Sequence, residues 1–446
     1  MPTKREAIQR HASFFLSVVQ GAADEFQRGG NSQRAGLTHF DREDQNIVQA
    51  FQTLRKHHHP AFDQLLVDFL RRGSLLALRV PPSIYKGWLK TGLGAARRLK
   101  DLHAEDVLLS NLGAVAQQLG EMRSAFYFHR KTLALDERLG DHKRQAQTWG
   151  DLGNCYRYVG DIGQAIECYS RQLSIARGIA NRMGEYTALN NLGGTYLDIE
   201  DYERARETLN LALELARTEQ DRHSEGLVLG NLGQLVAKTG DHIHAIEILR
   251  ERVEIAEQLG DTLGEAAGRS NLGWIAYEVE SKDLAITLTE QALSLYRQAE
   301  DHDGICKALL NLGDYYLETE EVEKAFACYR EAMVLQSVAE NQSGLVSIYT
   351  SLVIAYFIYG MDETAEEFIQ TTLKKVRHIK SPLVRATTYK DLANILYRVG
   401  QSERSNRYMR LAIKYYERIS PGSALQAQST LDERLKTKAD LGSPIS

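Results

Sequence analysis

The sequence predicts an all-α protein, a right-handed α-solenoid of helix–turn–helix units with an N-terminal helical cap. Two observations carry this. One phrase returns every forty residues without insertion: Asn111-Leu112-Gly113, Asp151-Leu152-Gly153, Asn191-Leu192-Gly193, Asn231-Leu232-Gly233, Asn271-Leu272-Gly273, Asn311-Leu312-Gly313, Ser351-Leu352-Val353 and Asp391-Leu392-Ala393. Each period also holds two stretches with apolar residues at helical spacing. A unit of that length cannot bury its apolar face alone, so successive units must stack.

Residues 1–60 form the N-terminal helical region. Within it 4–28 read as one helix: Lys4, Arg5 and Arg10 precede the apolar run Phe14 to Val19, but the run is short and continues amphipathically through Ala23 and Phe26, unlike a secretory leader. Gly29-Gly30-Asn31-Ser32 breaks it. A second helix starts near Asp41 as N-cap, with Ile47, Val48, Phe51 and Leu54 inward. Between 61 and 100, Tyr85, Trp88, Leu89, Leu93 and Ala96 keep faint columns of a degenerate repeat that closes the apolar end of the stack.

Eight repeats occupy 101–420. In 181–220, Asn181 can cap a first helix, A, carrying Ala188, Leu192, Tyr196 and Leu197; Asp201 restarts a second, B, with Ala205, Leu209, Ala212, Leu213 and Leu215. Gly120, Gly160, Gly240, Gly360 and Gly400 mark a turn suited to a left-handed helix end. One helix-B site holds alanine from Ala125 to Ala365, letting two backbones approach. Bulk at Val353 and Ala393 in place of glycine implies looser packing toward the C-terminal end. Residues 421–446 supply a capping helix through Leu425, Ala427, Leu431 and Leu435, then a disordered tail at Gly442-Ser443-Pro444.

Leucine-glycine, then Tyr156, Tyr196, Tyr316 or Tyr356 three residues on, then the alanine, resembles the tetratricopeptide repeat in its forty-residue form. A second resemblance lies upstream. His11, Phe15 and Leu16, then Phe40 to Ala50 with Glu43, Asn46, Ile47 and Ala50, look like the helical connector that follows the winged-helix module in signal-transduction ATPases carrying tetratricopeptide sensors. That resemblance implies a sensor half of a larger switch, with an NTPase module or effector domain as partner; the sequence itself holds no phosphate-cradling G-x-x-x-x-G-K-[ST] motif.

Chemistry is sparse. Charged residues make up 25% and the net charge is −5, which favours neither nucleic acid nor a membrane surface as partner. Cys155, Cys168, Cys306 and Cys328 have no metal or redox spacing and read as small apolar residues in a reducing cytoplasm. His57-His58-His59 and the acidic cluster Glu318, Glu320, Glu321 and Glu323 read as solvated turns. With no nucleophile–base set, the expectation is no catalysis, no cofactor and no metal.

The resemblance places the A helices on a concave face. Its stripe reads Gln147, Gly150, Asp151, Asn154; Thr187, Asn190, Asn191, Gly194; Leu227, Gly230, Asn231, Gln234; Ala267, Ser270, Asn271, Trp274; Lys307, Leu310, Asn311, Asp314. An amide offers donor and acceptor to a peptide backbone of any sequence. The expected contacts are Asn154, Asn190, Asn191, Asn231, Gln234, Asn271, Asn311 and Asp314, with Trp274 as an aromatic anchor. Equally open is that each amide bonds a neighbouring repeat. The leading expectation is a non-enzymatic cytoplasmic scaffold or sensor that takes a protein or peptide in this groove. The alternative is a peptide-regulated bacterial regulator or phosphatase with an N-terminal helical bundle, in which Gln45 and Gln49 are available; a motor or polarity adaptor fits the array but not the first hundred residues.

Overall fold

The computed structural model of the chain describes residues 3–441 apart from 28–29, 58, 72–75, 77–78, 120, 280, 300, 339–341, 380–381 and 418–420. Gly29, His58, Gly120 and the expected tail from Gly442 lie outside the described residues. Among those described every regular element is helical. The N-terminal helices are α1 (Lys4–Gln27), α2 (Gly30–Leu54), α3 (Pro60–Arg71) and α4 (Pro82–Leu99). A and B helices then alternate: α5 (Leu102–Gln118), α6 (Met122–Leu139), α7 (His142–Val159), α8 (Ile162–Gly178), α9 (Arg182–Asp198), α10 (Tyr202–Thr218), α11 (Arg222–Lys238), α12 (His242–Leu259), α13 (Thr262–Glu278), α14 (Lys282–Gln298), α15 (His302–Glu318), α16 (Val322–Val338), α17 (Gln342–Ile358), α18 (Asp362–Val376), α19 (Pro382–Arg398) and α20 (Ser402–Tyr416). The last helix is α21 (Pro421–Leu441).

A two-residue device ends one helix and starts the next. The first residue is left-handed, at Gly140, Gly160, Gly240, Gly260, Gly360 and Gly400, and also at Lys100, Ala180, Glu200, Gln220 and Glu320. The N–H after it then reaches back five residues, as from Asp201 to the Tyr196 carbonyl (2.9 Å) and from Asp221 to that of Ala216 (2.9 Å). At several turns that second residue also caps the next helix: Asp221 Oδ1 accepts from the Ser224 N–H (3.1 Å) and Asp101 Oδ1 from that of Ala104 (2.9 Å), whereas Glu121, Ser281, Met361 and Gln401 make no side-chain cap bond. The backbone bond five residues back recurs also where the side chain does not cap, as from Met361 to Tyr356 and from Gln401 to Leu396, and it keeps each turn to the same two residues.

The chain divides into two compact units. One comprises Met1–Cys155, Ser174–Asn181 and Gln258–Asp261; the other comprises Tyr156–Leu173, Arg182–Glu257 and Thr262–Ser446. The first is built on one apolar core that includes Val19, Phe51, Phe69 and Leu89, where Phe51 stacks on Trp88 at 4.3 Å between centroids. The second is a succession of smaller clusters, each shared by neighbouring repeats.

Small residues set the approach of A and B helices. Ala125 through Ala365 are all fully buried, and Ser405 continues the column with its hydroxyl donating to the Ala393 carbonyl (2.8 Å). A methyl group on Gly193 would stand 2.6 Å from Leu209 Cδ2, and one on Gly233 equally close to Leu249.

Three expectations are corrected. α2 already runs from Gly30, so Asp41 lies inside it and pairs with Arg79 (3.1 Å) instead of capping; burial of Phe40 and Ile47 outweighs the weak helix propensity of Gly30 and Ser32. The connector-like residues Ile47 and Ala50 face this core, and Asn46 bonds Glu43. Packing does not loosen at Val353 and Ala393: both are fully buried, Val353 with Ile369, Leu392 and Leu396. In α21 the buried edge is Ala424, Ala427 and Leu431, whereas Leu425 is 73% exposed, because the helix turns its other side to solvent.

Candidate functional site

In the second unit each A helix from α9 to α19 packs on the next A helix as well as on its own B partner. Successive B helices make no comparable contact among the described residues. The A row is therefore the inner side. Its solvent-facing positions are spaced by three, four or seven residues: Met183, Thr187, Asn191 and Asp198 on α9, where the intervening Gly194 is buried; Leu227, Asn231 and Gln234 on α11; Leu263, Ala267, Asn271 and Trp274 on α13; Lys307, Asn311 and Asp314 on α15.

The stripe differs from the expected one on its flank. Gly150 and Gly230 are buried, because their column turns into the layer between helices. The Arg252 guanidinium occupies the place that a side chain at Gly230 would take. Asn190 shares that column yet stays half-buried and reaches the floor: its Oδ1 accepts from Asn231 Nδ2 at 2.8 Å, across two repeats. Gln234 Nε2 donates to Asn271 Oδ1 in the same fashion (3.3 Å). Each such pair uses one donor and one acceptor and keeps the rest of its hydrogen-bonding capacity.

Asn191 and Asn311 are half-buried, and neither side chain bonds a neighbouring repeat among the described residues. Trp274 is half-buried and packs against the buried cluster of Val236, Ala237, Ala245, Leu249 and Ile275, so it serves the repeat junction on one side. Asp314 Oδ1 accepts from the buried Tyr329 hydroxyl (2.6 Å), and Ser351 also bonds it. Burial nevertheless pushes its carboxyl up to about 6. Protein walls surround this side chain, and a carboxylate in confined solvent is poorly screened.

In the first unit Asn154 is exposed on α7. Asp151, one turn before it, is pushed by burial up to about 6. The histidines at 57 and 59 edge the Phe62 ring, and no group of three or more metal-ligating side chains occurs among the described residues.

Sequence reasoning missed the ends of the stripe. Met183 is 62% exposed, and Leu227 and Leu263 nearly half, so an apolar margin borders the amides. At the other end Arg157 donates to both oxygens of Asp198 (2.5 and 3.0 Å) and to the Gly194 carbonyl (3.4 Å). Burial alone would lower that guanidinium, but the bonds to Asp198 outweigh it and raise it. Extending the same spacing one turn each way along α9 reaches Met183 and Asp198.

Residues 105–178, 184–258 and 226–298 match one family profile described as tetratricopeptide repeat, and 307–336 match a second of the same description. The matched stretches are therefore tetratricopeptide repeats. No curated protein matches it in sequence. Among solved structures it is similar to a Rap protein complexed with Competence and Sporulation Factor, at 11% identity over 96% of this chain and 99% of that one, with a TM-score of 0.52. It is similar also to the Rap conjugation gene regulator of plasmid pLS20 in complex with the Phr* peptide (14% identity, 82% and 96% covered, TM-score 0.53). A third is the apo quorum sensor NprR from B. thuringiensis (17% identity, 80% and 98% covered, TM-score 0.51). At these identities the likeness is one of fold. No helix among the described residues is long and apolar enough to cross a membrane.

Proposed function

We propose that the chain is a non-enzymatic sensor or scaffold of the cytoplasm, and that the inner face of its second unit binds an extended peptide or partner segment. The observation that carries this reading is the run of half-buried amides on α9, α11, α13 and α15, bordered by the exposed Met183, Leu227 and Leu263. Amides suit a peptide backbone, and apolar margins suit its alternate side chains. Asn190, Asn191, Asn231, Gln234, Asn271, Trp274, Asn311 and Asp314 are the proposed contacts. Asn154 is proposed as a further contact on the first unit. The pLS20 regulator, whose structure holds the Phr* peptide, supports the same use of the fold.

Peptides selected by display on the wild-type chain supply the probe. Asn191→Ala with Asn311→Ala should weaken their binding by roughly 1–3 kcal/mol per amide, at little cost in folding. Asn231→Ala with Asn271→Ala, which also breaks the inter-repeat pairs, should lower both affinity and melting temperature. Unchanged affinity in the first double variant, measured at matched folded fraction, overturns the groove reading.

A second reading is favoured by the reach of the Rap likeness, which spans 96% of this chain and so takes in the N-terminal helices. There Gln45 and Gln49 are exposed on α2. On this reading the N-terminal helices would act on a phosphoaspartate partner. Dephosphorylation of response regulators, lost on Gln45→Ala or Gln49→Ala, tests it.

A further inference from the structure

The outer faces of two B helices carry opposite charge at the same positions of the repeat. On α6, Arg123, Phe126, Tyr127, Arg130 and Lys131 line an open hollow of about 600 Å³. On α18, Glu363, Glu366, Glu367 and Gln370 line one of about 780 Å³, together with Phe357. Arg123 and Glu363 occupy one column of the period, and Tyr127 and Glu367 another.

The charges within each patch are incompletely neutralised. Lys131 lies over the Tyr127 ring (5.9 Å), and neither it nor Arg123 meets a carboxylate among the described residues. On α18, Arg404 holds Glu366 (2.8 Å), whereas Asp362, Glu363 and Glu367 have no cation partner among the described residues. Lys374, at the far end of that hollow, is the cation the acidic side contributes. Each patch has an apolar member as well: Tyr127, 57% exposed, in the basic one, and the half-buried Phe357 in the lining of the acidic one. An aromatic anchor framed by charge, facing an apolar spot framed by the opposite charge, is the composition of a specific interface.

We propose that these faces dock onto each other between copies of this chain, α6 of one copy against α18 of the next. The occupant is argued from complementarity, because both halves of the pair are on one chain and every copy brings its partner at equal concentration. Nucleic acid suits the basic face less well, since the remainder of an acidic chain repels it. Two copies that engage reciprocally, α6 on α18 and α18 on α6, form a closed isologous pair, whereas a one-way contact is heterologous and propagates or closes a ring. The inference is independent of the inner-face reading.

Sedimentation velocity of the whole chain tests it. In dilute buffer at micromolar concentration the wild type should sediment as more than one chain, and molar salt should weaken the association by roughly tenfold or more, because exposed pairs are screened. Arg123→Glu with Lys131→Glu should leave a single chain, as should Glu363→Lys with Glu367→Lys; all four residues are exposed, so circular dichroism should be unchanged. An equimolar mixture of the two double variants should associate again, since the second keeps the basic α6 face and the first the acidic α18 face. All four substitutions in one chain should restore association as well, with the charges exchanged. A wild type that is monomeric in dilute buffer overturns the proposal and leaves the basic face to an acidic partner of another kind. An association that survives either double reversal overturns it too, as does a mixture that stays dissociated.

Discussion

A methyl group at Gly233 would stand 2.6 Å from both Cγ and Cδ2 of Leu249, inside the 3.4 Å at which ordinary contact begins. Leu249 is fully buried between α11 and α12 and cannot swing into solvent, so either its rotamer or the helix separation must give. Gly233→Ala should therefore cost about 1–3 kcal/mol, the usual range for overpacking a well-filled site. Leu249→Ala alone should cost about 2–5 kcal/mol through lost burial and the cavity left behind. In the double variant the new methyl stands in the vacated space, so the combined cost should fall short of the sum by at least about 1 kcal/mol. Urea unfolding followed by circular dichroism gives the four free energies, and amide exchange in α11 and α12 reports the same loss locally, as nearest-neighbour coupling in a repeat array requires. The seventh repeat already shows a compensated version, with Val353 seated beside Ile369 in a fully buried cluster. Strictly additive costs would refute the reasoning, because they would mean that 233 and 249 do not meet.

Three further outcomes are expected. His129 takes the place in α6 that Leu209 and Leu249 hold in α10 and α12; it is buried, its ring nitrogens have no hydrogen-bond partner among the described residues, with Asp151 Oδ2 3.8 Å from Nδ1, and burial holds it down at about 4. The unfolded chain then takes up a proton below about 6.5 that the folded chain refuses until about 4, so the advantage of His129→Leu over wild type should grow by about 1.4 kcal/mol per pH unit as pH falls through that window. Asp136, pushed by burial up to about 7, acts in the opposite sense, losing stability as pH rises from about 4 toward 7, so the difference between variant and wild type is the quantity to measure, by urea unfolding at several pH values. Ala180→Gly and Gln220→Gly relieve left-handed residues (φ 54° and 55°) and should each stabilise by up to about 1 kcal/mol, the strain removed less glycine's greater unfolded-state entropy; a loss at either site would show that the turn is held otherwise. On α21, Leu431→Ala should cost about 2 kcal/mol or more while Leu425→Gln stays within about 0.5 kcal/mol, a contrast in urea unfolding that the buried and exposed sides of that helix demand.

The array was legible because its rules are local. Asp201 and Asp221 cap, the residue before each turns left-handed, and Ala205 and Gly193 fill close contacts; each leaves its mark in most periods. The start of α2 was not legible, since Gly30 and Ser32 read as breakers while the burial that overrules them comes from Phe40 and Ile47 further along the chain. Nor was the side of α21 that packs, because Leu425 and Leu431 are equally apolar and only the neighbouring helices choose between them. In the site, Asn191 and Asn231 were legible as a column. That Asn190 and Gln234 would bond the column of the next repeat depends on the rotation between repeats, which no single period encodes.

That rotation also bears on what the asparagines are for. If the column existed only to join repeats, each of its members would need a partner on a neighbouring A helix. Asn231 and Asn271 have one, supplied by Asn190 and Gln234 from different positions of the period. Before Asn311 the same two positions hold Ser270 and Trp274, so the bond has no side-chain amide to come from. A junction-only role thus accounts for two asparagines and leaves Asn191 and Asn311 without a packing reason, on a helix face where alanine or leucine would fold as well. Half-buried amides kept where the fold does not spend them fit a surface that must hydrogen-bond something arriving from outside. For that reason Asn191→Ala with Asn311→Ala is the discriminating pair for the inner face.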